Sequence, residues 1–504
     1  MIKNILFLST ALFVCLSIKT VVKKLEESKY IRVNADGSLK YLPDAKGNTI
    51  PDFSHVGYHQ GDKAIPAVTV VKTVSANESG DSGQLLQNAI DEVSQMPLKD
   101  GFRGAILLKK GTYKIAGTLH INKSGIVLRG EGENATKLIA TGKGQRSLVV
   151  FGGDGALSAI KGTRVQVADQ FVPVGTFSLT LTDASKFKVG DNIVVYRPGT
   201  DQWIKDLKMD QIEARDGTKQ WQAKEYNLEF ERRIIKIEGH KITLDNPIVM
   251  EMEQKYGGAE VYKASFEGRI NEVGIENIYL ESEYANDTDE DHGWVGVEYS
   301  KVQDGWAKNI TTKYFGYAAV SIKATSKQIT VKDSKCLDAK SVITGGRRYS
   351  FNNDGQLNLF MNLESTDARH DYVTGSKTLG PNVFTQCKAI RTHADIGPHH
   401  RWAAGTLYDN IQTDGEINVQ DRGNWGSGHG WAGVTQVLWN CKVKRAAVQS
   451  PWANGQNYSF GTQGDKYDGR FKGRPDGVWE NQNQTGIKPA SLYLAQLQDR
   501  QKRN

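Results

Sequence analysis

Beyond residue 270 the chain is written in short runs in which apolar and polar side chains alternate, the period-2 pattern of β-strands. Each run closes on a polar residue followed by a small or apolar one. These pairs are Asn277-Ile278, Asn309-Ile310, Lys335-Cys336, Asn362-Leu363, Gln386-Cys387, Asn410-Ile411 and Asn440-Cys441, spaced by 32, 26, 27, 24, 24 and 30 residues. Strands and turns repeating about every 25 residues mark a solenoid whose successive turns bury a shared core. Leucine-rich and helical repeats fit poorly, because neither a Leu-rich consensus nor a 3.6-residue periodicity is present. The pattern predicts an all-β chain wound as a parallel β-helix, with Cys336, Cys387 and Cys441 as equivalent inward thiols.

The register carries chemistry with it. Four residues beyond the closing apolar position, consecutive coils hold Asp367 and Arg391, and six beyond it they hold Arg369 and His393. Adjacent coils lie about 4.8 Å apart, so these side chains should stack on one face.

Upstream, residues 81–91 read as a short amphipathic helix with Asp81 near its N-cap, followed by the strand-like series GTYKIAGTLHI and GIVLRGEG. A helix leading into this series resembles the opening coils of pectate-lyase-like right-handed parallel β-helix proteins. That resemblance implies a helix that caps the solenoid. Residues 166–262 change to hairpin-like runs and are expected to form an inserted antiparallel β subdomain. Trp203 and Trp221 sit in its polar loop, either to stack on sugars or to form a small core. Residues 489–497 suggest a short C-terminal helix covering the last coil. The expected organisation is a leader at 1–20, an N-terminal segment with capping helix and first coils at 21–165, the insertion at 166–262, the main β-helix at 263–450 and a C-terminal cap and tail at 451–504.

The leader reading rests on Lys3 ahead of an apolar run too short to span a bilayer comfortably, and it predicts a secreted or periplasmic protein. Net charge is +7, or +5 once Lys3 and Lys19 leave with the leader, which suits a polyanionic substrate without demanding one. Three cysteines beyond the leader in so long a chain imply no disulfide framework. The 52 glycines against 12 prolines fit many strands and tight turns.

Five of the ten histidines fall between His370 and His429, repeatedly beside arginine. A uronate in a polysaccharide has an acidic proton at C5 and a glycosidic oxygen at C4 that can depart by β-elimination. An enzyme must neutralise the carboxylate, remove the C5 proton and protonate the leaving oxygen. Arginine suits the first task, and histidine or tyrosine the other two. Arg369, His370, His393, His399, His400, Arg401 and Tyr372 are the catalytic candidates. Arg347, Arg348, Arg391, Trp402, Tyr408, Arg422, Trp425, His429 and His292 are the substrate-binding candidates, His429 as a clamp in a glycine-rich loop. Residues 291–433, with Gly345 to Phe351, Gly397 to Trp402 and Gly428 to Trp431, resemble secreted bacterial β-helix proteins of the polysaccharide lyase group.

The expected activity is therefore a secreted polysaccharide lyase acting on an acidic, uronate-containing glycan. A glycoside hydrolase would need two carboxyl groups about 6.5–9.5 Å apart if inverting, for which Asp367, Asp371 and Asp395 are available. A uronate epimerase would use nearly the same proton chemistry as a lyase. A non-catalytic glycan-binding solenoid would instead show aromatic and polar platforms without a converging base and cation. No cofactor is required by this chemistry, although the acidic run 287–291 offers hard oxygens for calcium. The expected partner is an acidic polysaccharide rather than nucleic acid, and a monomer is expected because a β-helix completes its own core.

Overall fold

In the computed structural model, which describes residues 25–77 and 80–503, 27 strands are linked by parallel ladders into a β-helix. The predicted leader lies outside the described residues. Among those residues, no helix is long and apolar enough to cross a membrane.

Each coil contributes to three faces. Gly104–Leu108, Ile126–Gly130, the first half of Ile270–Ser282, Leu379–Thr385 and Ala403–Asp409 lie on the first. The second face holds Thr136–Ala140, the second half of Ile270–Ser282 and Lys388–Ile390. The third holds Arg146–Gly152, Gly293–Ser300, Ala318–Ile322, Tyr349–Asn353, His370–Thr374, Asp395–Pro398 and Glu416–Val419.

The repeating polar residues found in the sequence are the corners between the first two faces. Asn277, Asn309, Asn362, Gln386, Asn410 and Asn440 all have φ between 50° and 60°, left-handed conformations that asparagine tolerates better than most residues. Their amides also ladder from coil to coil: Asn309 donates to Asn277 at 3.0 Å and Asn362 to Asp333 at 2.7 Å. The third corner is thus Asp333 (φ 51°), not Lys335. Backbone conformation fixes the corner, and Lys335 sits two residues further along the same strand. Cys336 consequently pairs with Ser365, one inward position away from the column of Cys387 and Cys441. All three thiols are buried and free, as expected.

Alternation decides what each strand buries. Phe360, Phe384, Tyr408 and Leu438 fill the solenoid, whereas Leu359, Val383, Leu407 and Val437 point the other way into a second apolar layer. That outer layer is covered by Ile31, Ile50 and Phe53 of the N-terminal segment and by Leu492 and Tyr493 of the C-terminal helix Leu492–Arg503. The helix therefore lies across the outer side of the first face instead of closing the last coil. Exposed Leu359, Val383 and Leu407 would form an apolar stripe, and the helix removes it from water.

The N-terminal helix Gly83–Ser94 presents Leu86, Ala89, Ile90 and Val93 to the first coils. Asp81 accepts from the Gly83 and Ala116 amides at 3.2 and 3.0 Å, tying the helix start to the solenoid. After Gly152 the chain leaves the β-helix and returns at Ile270. Antiparallel strands between Ser158 and Ser265 form the insertion, somewhat longer than 166–262. Trp203 and Trp221 are buried there, Trp203 edge-on to Trp402 at 4.8 Å and Trp221 stacked on Tyr226 at 4.3 Å. They form a core and do not stack on sugars. This core extends onto the β-helix through Leu379, Trp402, Ala404, Trp431 and Val434.

Candidate active site

Where the third face begins, consecutive coils bring Tyr349, His370 and Asp395 side by side. Tyr349 pairs with His370 in register, and Val373 pairs with Gly397 in the next coil. His399 and His400 follow immediately, and the loop after Glu416–Val419 folds back with His429. The His370 and His399 rings lie 4.0 Å apart, His399 and His400 4.7 Å, His400 and His429 4.8 Å. Tyr349 abuts His370 at 4.8 Å and His399 at 5.4 Å, and stacks on Tyr317 at 5.2 Å.

The buried ion pair beneath the cluster sets its electrostatics. Arg422 donates to both oxygens of Asp395 at 2.8 and 3.2 Å and to Asn418 at 3.0 Å. Burial disfavours the Asp395 charge, but Arg422 and then His370 outweigh it and hold the carboxyl at about 2. His370 Nδ1 lies 2.7 Å from the Asp395 carbonyl oxygen. A carbonyl only accepts, so Nδ1 carries the proton and Nε2 keeps a lone pair.

Burial pushes His370 down to about 4, Asp395 opposing and Arg369 and Arg422 reinforcing the shift. Burial with Arg422 and Arg401 takes His400 to about 4, and burial with His400 and Arg422 takes His429 to about 3. His399 is driven down by burial, then by His370 and Arg422. All four imidazoles are therefore neutral near pH 7. Burial raises the Tyr349 hydroxyl, with Arg369 opposing, so the phenol stays protonated.

The loop that carries His429 is braced from two sides. Arg401 donates to the Gly428 carbonyl at 3.2 Å and to the Ser427 carbonyl and hydroxyl, both at 2.8 Å. From the insertion, the Trp221 indole donates to the Gly428 carbonyl at 3.3 Å, and the Trp431 indole donates back to Leu207 at 3.1 Å. Gly430 (φ 58°) approaches the insertion so closely that a Cβ there would sit 2.3 Å from Met209 Sδ. Arg401 thus holds the loop in place from the β-helix side.

Several other expected site residues also have structural duties. Tyr372 is inside the solenoid, its hydroxyl donating to the Leu363 and Lys388 carbonyls at 3.1 and 2.6 Å. Tyr408 is also interior, stacked on Phe384 at 5.5 Å. Trp402 is fully buried, its indole directed at Met250 Sδ at 3.4 Å. His292 is saturated by Ser282 at 2.9 Å and the Lys340 carbonyl at 2.9 Å. Arg348 donates to the Ser341 carbonyl at 2.6 Å and the Asp367 carbonyl at 3.2 Å. Arg347 is held bidentately by Glu290 at 2.6 and 2.8 Å.

The predicted stacking of Asp367 and Arg391 is present, at 2.8 and 3.0 Å. His393 joins Asp367 at 3.5 Å, but this ladder lies on an exposed corner and His393 makes no ring contact with the cluster. Arg369, level with His393, turns the other way: it donates to the Gly345 carbonyl and reaches the Tyr349 hydroxyl. Trp425 is half-buried, with the Arg422 and Arg470 guanidinium groups 4.8 and 4.6 Å from its ring.

The acidic run 287–291 forms no shared oxygen cage. Asp287 pairs with Lys340 at 2.8 Å, Asp289 accepts from the Ala285 and Asp291 amides, and Glu290 is spent on Arg347. The calcium expectation fails there because the carboxylates diverge to separate partners. A groove of about 610 Å³ lies elsewhere, beside the C-terminal helix, and its lining holds no histidine.

Sequence alone gives Tyr349 no role and marks Asp395 only as a carboxylate a hydrolase could use. Tyr349 pairs with His370 although they are closer in sequence than the coil repeat, so the repeat alone does not bring them together.

No protein-family model and no curated protein matches the chain. Among solved structures it is similar to the alginate lyase from Paenibacillus sp. str. FPU-7, at 8% identity and a TM-score of 0.40, over 82% of this chain and 100% of that one. It is similar to the endo-xylogalacturonan hydrolase from Aspergillus tubingensis at 11% identity and a TM-score of 0.40, over 82% and 100%. The tailspike gp61 of Pseudomonas phage phi297 matches at 10% identity and a TM-score of 0.36, over 75% of this chain and 66% of that one. Likenesses this distant carry nothing about chemistry, which has to be read from the side chains.

Proposed function

We propose that this is a polysaccharide-active enzyme, a secreted or periplasmic lyase that cleaves a uronate-containing acidic glycan by β-elimination. The observation that carries the proposal is the assembly of neutral imidazoles, a protonated phenol and a guanidinium at one place. Of the three aspartates a hydrolase could use, Asp367 is paired with Arg391, Asp395 with Arg422, and Asp371 is interior, bonded to Ser365 at 2.6 Å.

In this reading Arg369 engages the uronate carboxylate, which lowers the cost of carbanion character at C5. His370 Nε2, its tautomer set by the Asp395 carbonyl, accepts the C5 proton. The electron pair becomes the C4–C5 double bond and the C4–O4 bond breaks, O4 taking its proton from Tyr349. The proton then returns from His370 to Tyr349, whose ring adjoins it. In the resting protein His370 Nε2 is buried, so this reading requires the side chains over it to give way when substrate enters. Half-buried Tyr317, stacked on Tyr349, and Trp425 offer aromatic surface for a sugar.

A panel of polyuronides and sulfated glycans, followed by ultraviolet absorbance of unsaturated uronate, tests this directly. New reducing ends without that absorbance would replace the lyase by a hydrolase. A changed uronate stereocentre without cleavage would make it an epimerase.

A further inference from the structure

We infer that His399, His400 and His429 form a binding site for one divalent cation of the zinc class, open on one side. One ring nitrogen from each residue lies within 4.8 Å of the other two. Tetrahedral zinc bonded to nitrogen at about 2.0–2.1 Å needs ligand atoms about 3.3 Å apart, so modest side-chain rotations close the set around an ion.

The polar accounting supports an occupant. Buried side-chain nitrogens are rarely left without partners, since each such loss costs on the order of 1–3 kcal/mol. His399 Nδ1 and His429 Nδ1 are both buried and unpartnered in the protein. Two such atoms in one cluster mark a place where ring nitrogens lack a partner that a metal ion can supply. Arg422 is the cation beneath them, but it is neutralised bidentately by Asp395, so the floor of the site carries no net charge. Arg401 faces Ser427 and Gly428 and holds the His429 loop in reach.

A second trio, His370, Asp395 and His399, has comparable spacing. Its carboxylate is already taken by Arg422, which leaves the all-histidine set as the better ligand group. Three imidazoles satisfy three positions of a tetrahedron and leave the fourth for an outside oxygen, the arrangement of catalytic zinc sites. If the lyase reading holds, that oxygen belongs to the uronate carboxylate, and the ion joins Arg369 in neutralising it. Metal binding itself does not depend on that reading.

The test uses the full chain after dialysis against a chelator. Zn²⁺ is titrated against a chromophoric competitor, and Co²⁺ is added in parallel as a spectroscopic probe. One equivalent of Zn²⁺ should bind per chain, with Co²⁺ giving the visible bands of a low-coordinate nitrogen site. Outer-shell changes typically lower metal affinity about 10–100-fold, so His400→Ala and His429→Ala should each weaken Zn²⁺ binding by roughly 100-fold or more, whereas His393→Ala should bind as the parent does. Failure of the parent chain to take up Zn²⁺, or unchanged affinity in folded His429→Ala, overturns the site. Should a variant misfold, the Co²⁺ spectrum of the parent decides: octahedral, oxygen-type bands contradict a three-imidazole site. Zinc binding without any elimination product would sink only the lyase reading, and metal-independent elimination with no uptake only this one.

Discussion

Two groups of basic side chains meet the third face of the β-helix within a few residues of each other, and opposite physics holds them. On the corner, Arg391 bridges Asp367 and Asp338 with about half its side chain in solvent. In the cluster, Arg422 and Asp395 are almost wholly buried and support four imidazoles stripped of water. The corner ladder is strong in geometry and weak in consequence, because solvent screens it. The cluster is the reverse: burial pulls the histidines well below their ordinary range and leaves nitrogens unpartnered. Perturbed titrating groups gathered in one place are what proton-transfer chemistry requires. Residues that look alike in sequence thus sit in opposite electrostatic environments.

Breaking the two ion pairs should expose this contrast most sharply. Arg422→Met leaves the Asp395 carboxylate buried and uncompensated, and a loss of about 3–5 kcal/mol is expected in denaturant unfolding. Glycine substitutions act next, through the loop. Gly430→Ala forces a left-handed residue against Met209, and Gly426→Ala (φ 55°) places a Cβ 2.4 Å from the His429 ring. Either should lower kcat/KM by roughly 10–100-fold, since small displacements of positioned groups cost that much. The unfolding midpoint should move far less than for Arg422→Met.

Acid separates the regions without mutation. His370, His400 and His429 titrate at about 4, 4 and 3 in the folded protein, below the ordinary histidine value of about 6.5. Between those values the unfolded chain binds more protons than the folded one, so stability is full above about pH 6.5 and falls progressively as pH drops toward 4. Replacing His429 by Gln should flatten that slope in pH-dependent unfolding. The smallest effect is expected for Arg391→Ala, whose unfolding midpoint should match the parent's.

The coil repeat was legible because corners need left-handed residues and asparagine supplies most of them. Asp333 escaped because the corner is a conformation, and the neighbouring Lys335-Cys336 mimicked its residue pattern. The Asp367–Arg391 contact followed from register alone. Tyr372 and Tyr408 take inward positions in register with Phe351 and Phe384, and the presence of a hydroxyl in the sequence hides that parity. Trp402 and Arg401 were obscured for another reason: their partners lie in the insertion and in the 422–431 loop, and no local period reports a contact made across the molecule. The convergence of His370 with His399 and His429 needed both the coil stacking and that folded-back loop.

The most direct test of the proposed chemistry is a parallel assay of His370→Ala and His393→Ala on the polyuronide that the parent cleaves, read as unsaturated uronate formed per second. Removing a positioned acid–base group costs about 10²–10⁴-fold. His370→Ala should fall by that much and His393→Ala should stay within a few-fold of the parent. Full activity in a folded His370→Ala protein, or collapse of activity in His393→Ala, would contradict it.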